Sequence, residues 1–219
     1  MAYFIDQKFI FIFFVSILVT FFSILLFRPL AIKLGIVDRP SERKIHSGEI
    51  PVIGGISIFI GVYISMLGEY SDDNILIAFM VSGFLILVLG FIDDCSPLPV
   101  IIRILLQIVI VSSMVWFTGL KFENFGNSFD LINQISLGYL GYPITILGIV
   151  FVTNAYNLMD GSDGVACSLC FLALIGINMN NILYGNFYFN PISIALAGCL
   201  IPFLWFNLIK TNKKNISRR

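Results

Sequence analysis

Charged residues are scarce in this 219-residue chain: Asp, Glu, Lys and Arg make up 12% of it, whereas hydrophobic residues make up 58%. A soluble domain carries about 25% charged residues. The shortage of charge therefore excludes a globule that faces water on all sides, and 22 Phe against 13 Lys and Arg indicate that most of the surface contacts lipid. Cysteine is also scarce, and its four positions indicate no disulfide framework.

Long runs without a charged residue predict membrane-spanning helices. Three of these runs are nineteen residues long, close to the roughly 20 residues that cross about 30 Å of hydrocarbon. A fourth run carries a single cation, Arg103, near its start, and a fifth lies within a longer uncharged stretch. The five predicted spans cover residues 9–27, 50–68, 74–92, 99–118 and 140–158.

The last uncharged stretch, residues 164–209, is 46 residues long. As one helix it would measure about 69 Å, more than twice the thickness of the bilayer. It must therefore fold back once, and we expect the turn in the Asn-rich segment that ends at Pro191. Two further spans, 164–182 and 190–209, complete an all-α polytopic membrane protein of about seven transmembrane helices, with residues 1–219 as a single domain.

Lys and Arg residues are distributed asymmetrically between the two sides of this predicted bundle. The connection after each predicted span is numbered in chain order, and the C-terminal tail counts as the seventh. Of the 13 cations, 11 lie in or next to the odd-numbered connections, and only Lys8 and Lys121 lie on the other side. Because connections rich in Lys and Arg stay in the cytoplasm, the N-terminus is predicted to be periplasmic and the C-terminus cytoplasmic. The first span is too long for a signal peptide and lacks a small-residue cleavage site, so we expect it to be retained.

Two adjacent carboxylates, Asp93 and Asp94, end the third predicted span in the sequence G-F-I-D-D. Like charges repel, and charges near hydrocarbon are costly to desolvate. A hard divalent cation bound through oxygen would compensate both effects. A helix end that dips into water is the alternative interpretation of the same pair.

The fifth span ends in a second polar cluster, N-A-Y-N-L-M-D-G-S-D-G at residues 154–164. Asn154, Asn157 and Asp160 would form a polar stripe on the last turns of the helix. Gly161 and Gly164 favour a turn, and glycine lets the backbone approach a ligand closely. An ordinary Asp-Gly turn is the alternative.

The first cytoplasmic connection is basic and contains the only His of the chain. Such residues either act as topology determinants or bind phosphate-rich ligands and anionic lipid headgroups. Arg103 and Gln107 are four residues apart and share one face of the fourth span, where Arg103 either snorkels or faces an anionic pocket beside the aspartates. The basic residues of the connection are Arg39, Arg43, Lys44 and His46.

Three motifs in this order resemble the polyprenyl-phosphate N-acetylhexosamine-1-phosphate transferase family: D-R-P-S-E-R-K-I-H with P-V-I-G-G, then G-F-I-D-D, then N-A-Y-N-L-M-D-G-S-D-G. The similarity extends over essentially the whole chain. The first motif is similar to the branch that starts O-antigen, common-antigen or teichoic acid linkage units. The third is most similar to the form found in enzymes that use undecaprenyl phosphate and UDP-GlcNAc.

The resemblance implies a bacterial inner-membrane enzyme that uses Mg²⁺ or Mn²⁺. Such an enzyme transfers GlcNAc-1-phosphate from UDP-GlcNAc to undecaprenyl phosphate and releases UMP. By position in the motifs, Asp93 and Asp94 match the pair assigned to metal binding or catalysis. Asp160 is matched to catalysis, and Asp163 with Asn157 and Asn154 to nucleotide binding. The residues matched to substrate binding on the basic side are Arg39, Arg43, Lys44, His46 and Arg103.

The chain also departs from the family pattern, because it ends where an F-M-G-D-type motif with a metal-binding Asp and a His-rich loop would follow. We therefore expect a truncated member, and a remnant that binds UDP-sugar or lipid phosphate without turnover is the alternative. A transporter is disfavoured because no acid lies deep in any predicted span. No nucleic acid partner is expected. The sequence leaves open whether the protein forms a homo-oligomer.

Overall fold

The computed structural model describes residues 7–38, 50–69, 74–124, 136–159, 164–183 and 191–216. Within these residues the elements are almost entirely helical, as the uncharged runs predict. The seven α-helices are α1 (Gln7–Leu34), α2 (Gly54–Ser65), α3 (Asn74–Cys95), α4 (Val100–Thr118), α5 (Gly141–Met159), α6 (Val165–Leu183) and α7 (Pro191–Ile216). Short 3₁₀ turns occupy Leu67–Glu69 and Gly138–Leu140.

Each predicted span overlaps one of these helices. Among the described residues, four helical segments are long and apolar enough to cross a membrane, whereas α2 and the apolar parts of α6 and α7 are shorter. Large apolar side chains cover the outside of the longer helices: Phe117 is 82% exposed and Phe151 is 74% exposed. Such an outer face is suited to lipid, as a polytopic membrane protein requires. The four segments are Gln7–Leu34, Asn74–Cys95, Val100–Thr118 and Gly138–Met159.

Helix α1 extends seven residues beyond the end of its predicted span, through Arg28 and Pro29 to Leu34. Charge marks where hydrocarbon ends, but the backbone stays helical until Gly35, whose φ is +70°. The N–H of Gly35 donates to Ile32 O at 3.2 Å and that of Ile36 donates to Ala31 O at 2.9 Å. This pair of bonds is a Schellman C-cap, which explains why the helix ends at a glycine.

A two-stranded antiparallel pair follows α1, formed by β1 (Val37–Asp38) and β2 (Ile50–Pro51). Hydrophobic periodicity did not indicate these strands, since two residues are too few to show an alternation. The pair shortens α2, which begins at Gly54 and not at the predicted residue 50.

The chain divides into two compact units, one formed by residues 1–71 and 157–219 and the other by residues 72–156. In the first unit α1, α2 and α7 pack closely. The contact is lined by small side chains that are completely buried, among them Ser16, Thr20, Ser57 and Cys199. A Cβ atom on Gly61 would collide with Thr20 Oγ1, and one on Gly198 would collide with Ser16 Oγ. We call these six residues the small-residue seam.

The second unit consists of α3, α4 and most of α5. Its apolar core is formed by Val111, Val115 and Val150, with partly buried Ile and aromatic side chains around them. Gly119 ends α4 with φ at +69° and donates to Val115 O at 2.9 Å. At the other end of α4, its first turn lies beside the last turn of α3, where Arg103 meets Asp93.

Candidate active site

The carboxylates Asp93 and Asp94 lie in the last turn of α3. The C-terminus of a helix carries a partial negative charge, so two carboxylates at this position are unfavourable without a cation nearby. The two side chains differ in surroundings: Asp94 is exposed, whereas the side chain of Asp93 is only 15% exposed. Compensation is therefore needed most at Asp93.

Arg103, in the first turn of α4, supplies that cation. Its Nη1 donates to Asp93 Oδ2 at 2.7 Å, and its side chain is 20% exposed. The other carboxylate oxygen, Oδ1, accepts from the backbone N–H of Leu98 at 2.9 Å. Residues 96–99 connect α3 directly to α4, so this short loop brings the acid and the base together.

Asn154 on α5 extends the cluster to a third helix. Its Oδ1 lies 3.5 Å from Arg103 Nη2, at the long end of hydrogen-bonding distance. Its Nδ2 donates to Gln107 Oε1 at 2.6 Å and to Val150 O at 2.8 Å. Gln107 is itself buried, with 6% of its surface exposed. We call Asp93, Arg103, Gln107 and Asn154 the polar network.

The network joins residues that lie far apart in the sequence. Asp93 belongs to the second motif and Asn154 to the third, and Arg103 contacts both. Of the two interpretations of Arg103, an anionic environment beside the aspartates is the one observed. The network connects these motifs within one unit, so the third motif reaches the acidic pair through Asn154.

The charges of the cluster set what it can bind. Asp93 and Asp94 bring two negative charges and Arg103 brings one positive charge, so the cluster keeps a net negative charge that a bound cation would compensate. Mg²⁺ is usually held by one or two carboxylates together with waters and substrate phosphates. The hard oxygen donors of the pair fit this habit. Among the described residues, no group of three or more His, Cys, Asp or Glu side chains is arranged to hold a metal ion.

One donor of Arg103 is left over. The Nε atom is buried and has no hydrogen-bond partner within the described ranges. Buried donors are normally satisfied. The guanidinium is thus placed by Nη1 and Nη2, through Asp93 and Asn154, and not by its Nε.

The remaining predicted residues divide into two groups. Asn157 lies in the last turns of α5 and is exposed, and Gly164, with φ at +79°, marks a turn just before α6. The positive φ agrees with the predicted turn after the fifth span. The others lie outside the described residues: Arg39, Arg43, Lys44, His46, Asp160 and Asp163.

The sequence placed Gln107 on the same face as Arg103 but did not indicate its partner. Spacing along one helix shows which side chains share a face, and it carries no information about the facing helix. The available indication was the amide itself, because a buried Gln within a predicted span needs a hydrogen-bond partner.

Comparison with known proteins identifies the class. The sequence model of glycosyl transferase family 4 matches residues 76–212. The matched segment includes the whole of the second unit from Leu76 onward. The chain belongs to this family, and the resemblance drawn from the three motifs is confirmed.

Three curated relatives show which members of the family the chain is similar to. The chain is 37% identical over 199 residues to a probable undecaprenyl-phosphate N-acetylglucosaminyl 1-phosphate transferase of Bacillus subtilis, covering 88% of this chain and 55% of the relative. It is 31% identical over 192 residues to the undecaprenyl-phosphate alpha-N-acetylglucosaminyl 1-phosphate transferase of Salmonella typhi, covering 87% and 52%. The Yersinia pestis protein of the same name is 30% identical over 181 residues, covering 83% and 49%. The chain spans about half the length of the curated relatives it matches.

Proposed function

We propose that this protein transfers GlcNAc-1-phosphate from UDP-GlcNAc to undecaprenyl phosphate and releases UMP, the first membrane step in the synthesis of a cell-surface polysaccharide. The relatives named above are described as transferases of this kind. The observation that carries the proposal is the polar network, because it brings Asp93 of the acidic pair on α3 and Asn154 of α5 together around one guanidinium.

The reaction has a simple balance of bonds. An oxygen of the lipid phosphate attacks the β-phosphorus of UDP-GlcNAc, and the bond from that phosphorus to the bridging oxygen breaks. UMP leaves with the bonding electrons, and the new diphosphate joins the sugar to the lipid. Because the groups that react are all anionic, positioning and charge stabilisation are the main tasks of the protein.

Asp94 and Asp93 are the residues that would hold Mg²⁺ or Mn²⁺. When bound, such an ion neutralises charge on phosphate oxygens. Asp94 contributes an exposed carboxylate, and Asp93 contributes one whose orientation is set by Arg103 and Leu98. We propose that Asp160 assists catalysis, that Asn157 and Asp163 bind the nucleotide, and that the basic connection binds phosphate groups; these assignments rest on the family motifs. The residues of that connection are Arg39, Arg43, Lys44 and His46.

We further propose that seven helices cross the inner membrane of a bacterium, with the N-terminus in the periplasm and the C-terminus in the cytoplasm. The distribution of Lys and Arg supports this orientation. It places the last turn of α3 and the first turn of α4 at the cytoplasmic face, where UDP-GlcNAc is made available, while the lipid acceptor arrives within the membrane. Residues 1–219 would then act as one transferase domain.

The test is UMP release in membranes that contain the 219-residue chain. The membranes receive UDP-GlcNAc, undecaprenyl phosphate and Mg²⁺, and UMP is separated and quantified. We expect any release to need the lipid and to fall at least a hundredfold in Asp94→Asn, since the variant weakens the site that would hold the cation. Asp130→Asn, outside the three motifs, is the matched control and should leave release unchanged.

Two other outcomes are informative. Binding of UDP-GlcNAc without release would indicate a chain that recognises the nucleotide sugar and does not turn it over. Absence of release, with or without binding, would contradict the proposed function.

A further inference from the structure

Asn154 has a single hydrogen-bonding orientation that fits its neighbours. Its amide nitrogen has two hydrogens, and both have acceptors: Gln107 Oε1 at 2.6 Å and Val150 O at 2.8 Å. Reversing the amide would turn its oxygen toward the Val150 carbonyl and its nitrogen toward the guanidinium, placing acceptor against acceptor and donor against donor. Oδ1 therefore faces Arg103.

The orientation of Arg103 follows from that of Asn154. One terminal nitrogen is bound to Asp93 Oδ2 and the other lies near Asn154 Oδ1, so the planar guanidinium has an acceptor on each side. With its Nε unpartnered among the described residues, these two contacts determine where it points. Asp93 then has both oxygens engaged, one by Arg103 and one by Leu98 N.

Gln107 lies at the buried end of this chain of contacts. It is two turns of helix into α4 and 6% exposed, whereas Asp93 lies at the end of α3. Gln107 does not contact Asp93 in the network. Its influence on the carboxylate passes through Asn154 and Arg103.

We propose that Gln107 is a positioning residue: through Asn154 and Arg103 it sets the orientation of the Asp93 carboxylate. The inference rests on the proposed function for its catalytic meaning, because Asp93 is one of the acidic pair. The energetic link between Gln107 and Asp93 is a property of the fold and is testable separately.

The experiment measures unfolding of the purified chain in mixed micelles with increasing SDS. Gln107→Leu keeps the size of the side chain and removes the acceptor of Asn154, so we expect the unfolding equilibrium constant to rise about fivefold, the effect of one interhelical hydrogen bond in a membrane. In the Asp93→Asn background, the same change should raise it by a clearly smaller factor, because the part of the effect that reaches the Asp93 carboxylate is absent there. Equal effects in both backgrounds would overturn the proposal, because residues that do not communicate contribute independently.

Rescue separates the acceptor from simple packing. Gln107→Glu retains an oxygen that accepts from Asn154, and we expect it to recover most of the stability that Gln107→Leu loses. If Gln107→Glu and Gln107→Leu behave alike, the side chain only fills space and the proposal fails.

The matched control is Asn178 on α6, which also bonds the carbonyl four residues earlier, at 2.8 Å, and a neighbouring side chain, Ser193, at 3.0 Å. Asn178→Leu should destabilise the chain to a similar extent without any coupling to Asp93→Asn. If Asn178→Leu couples to Asp93→Asn as strongly as Gln107→Leu does, the comparison of single and double variants reports only global stability. That result would contradict the proposal.

Kinetic measurements test whether the link from Gln107 to Asp93 affects turnover. We expect Gln107→Leu to lower kcat for UMP release about tenfold while KM for UDP-GlcNAc stays unchanged, with Gln107→Glu restoring kcat. A rise in KM for UDP-GlcNAc with kcat unchanged would count against a positioning role. If the unaltered chain releases no UMP, the proposed function fails, and the unfolding cycle and the rescue still decide whether Gln107 positions Asp93.

Discussion

The two units of the chain hold their helices together in different ways. In the first, α1, α2 and α7 meet along the small-residue seam, where buried Ser, Thr, Gly and Cys side chains allow close approach. In the second, α4 and α5 are joined by longer side chains: an apolar cluster of Val111, Val115 and Val150 and, beyond it, the polar network.

Both kinds of contact suit helices that are surrounded by lipid. Lipid offers little hydrophobic force between helices, so helices associate by close packing of small residues or by hydrogen bonds between them. Close packing tolerates no added atoms. A polar network tolerates changes in size but not the loss of a partner, because a buried charge or donor is then left uncompensated. The unit with the network is also the one that carries the acidic pair.

The largest effect is expected in the small-residue seam, at Gly61→Leu. The new side chain would enter the space of Thr20 and Cys199, and overpacking of this kind costs about 3 kcal/mol or more. The yield of folded protein in detergent and its SDS unfolding midpoint measure the effect.

Gly176→Leu is the control for this prediction. It lies on α6, where a Cβ atom would meet nothing within 4 Å, so we expect unfolding close to that of the unaltered chain. Equal damage at both glycines would show that leucine is harmful at any helical glycine, and the contrast between seam and network would lose its support.

A somewhat smaller effect is expected in the polar network, at Arg103→Gln. The change leaves the partly buried Asp93 carboxylate without its cation, and removing one partner of such a pair costs about 3 kcal/mol when burial is complete. With side chains 15–20% exposed, we expect less than this in the unfolding free energy. Combining it with Asp93→Asn should recover part of the loss; a double variant as unstable as the sum of both changes would mean that the ion pair does not hold α3 and α4 together.

The smallest effect is expected at Thr145, at the opposite end of the second unit. Its hydroxyl donates to Gly141 O at 2.7 Å and accepts from the N–H of Phe122 at 2.8 Å. Thr145→Val keeps the shape and removes both bonds, for a cost of about 1 kcal/mol. Thr145→Ser keeps the hydroxyl and should unfold like the unaltered chain. If Thr145→Val proves as costly as Arg103→Gln, hydrogen bonds to backbone matter as much as the ion pair in this unit.

Much of the fold was predictable because a membrane imposes a length on apolar segments. The runs without charge lie on seven helices, and the end of α5 was expected at residue 158 and observed at Met159. The extension of α1 to Leu34 and the strand pair after it were not predicted. Charge reports the edge of the hydrocarbon, whereas the end of a helix depends on local capping at Gly35.

The site was predicted as a set of motifs but not as a geometry. Asp93, Asp94, Arg103 and Asn154 were each identified from their position at the ends of spans. Their pairing was not, since Arg103 had two interpretations and Asn154 was placed with Asn157 and Asp160 on a stripe. The contact between Asn154 and Gln107 depends on how α4 and α5 face each other, and helical periodicity within either segment says nothing about that.

Composition and motif order alone were sufficient for an all-helical chain with membrane-spanning segments and for its family, because both depend on residue type and spacing. Tertiary structure decided which side chains meet. It paired Asp93 with Arg103 and oriented Asn154 through Gln107, because a buried charge or amide in a low-dielectric interior must find a partner on another helix.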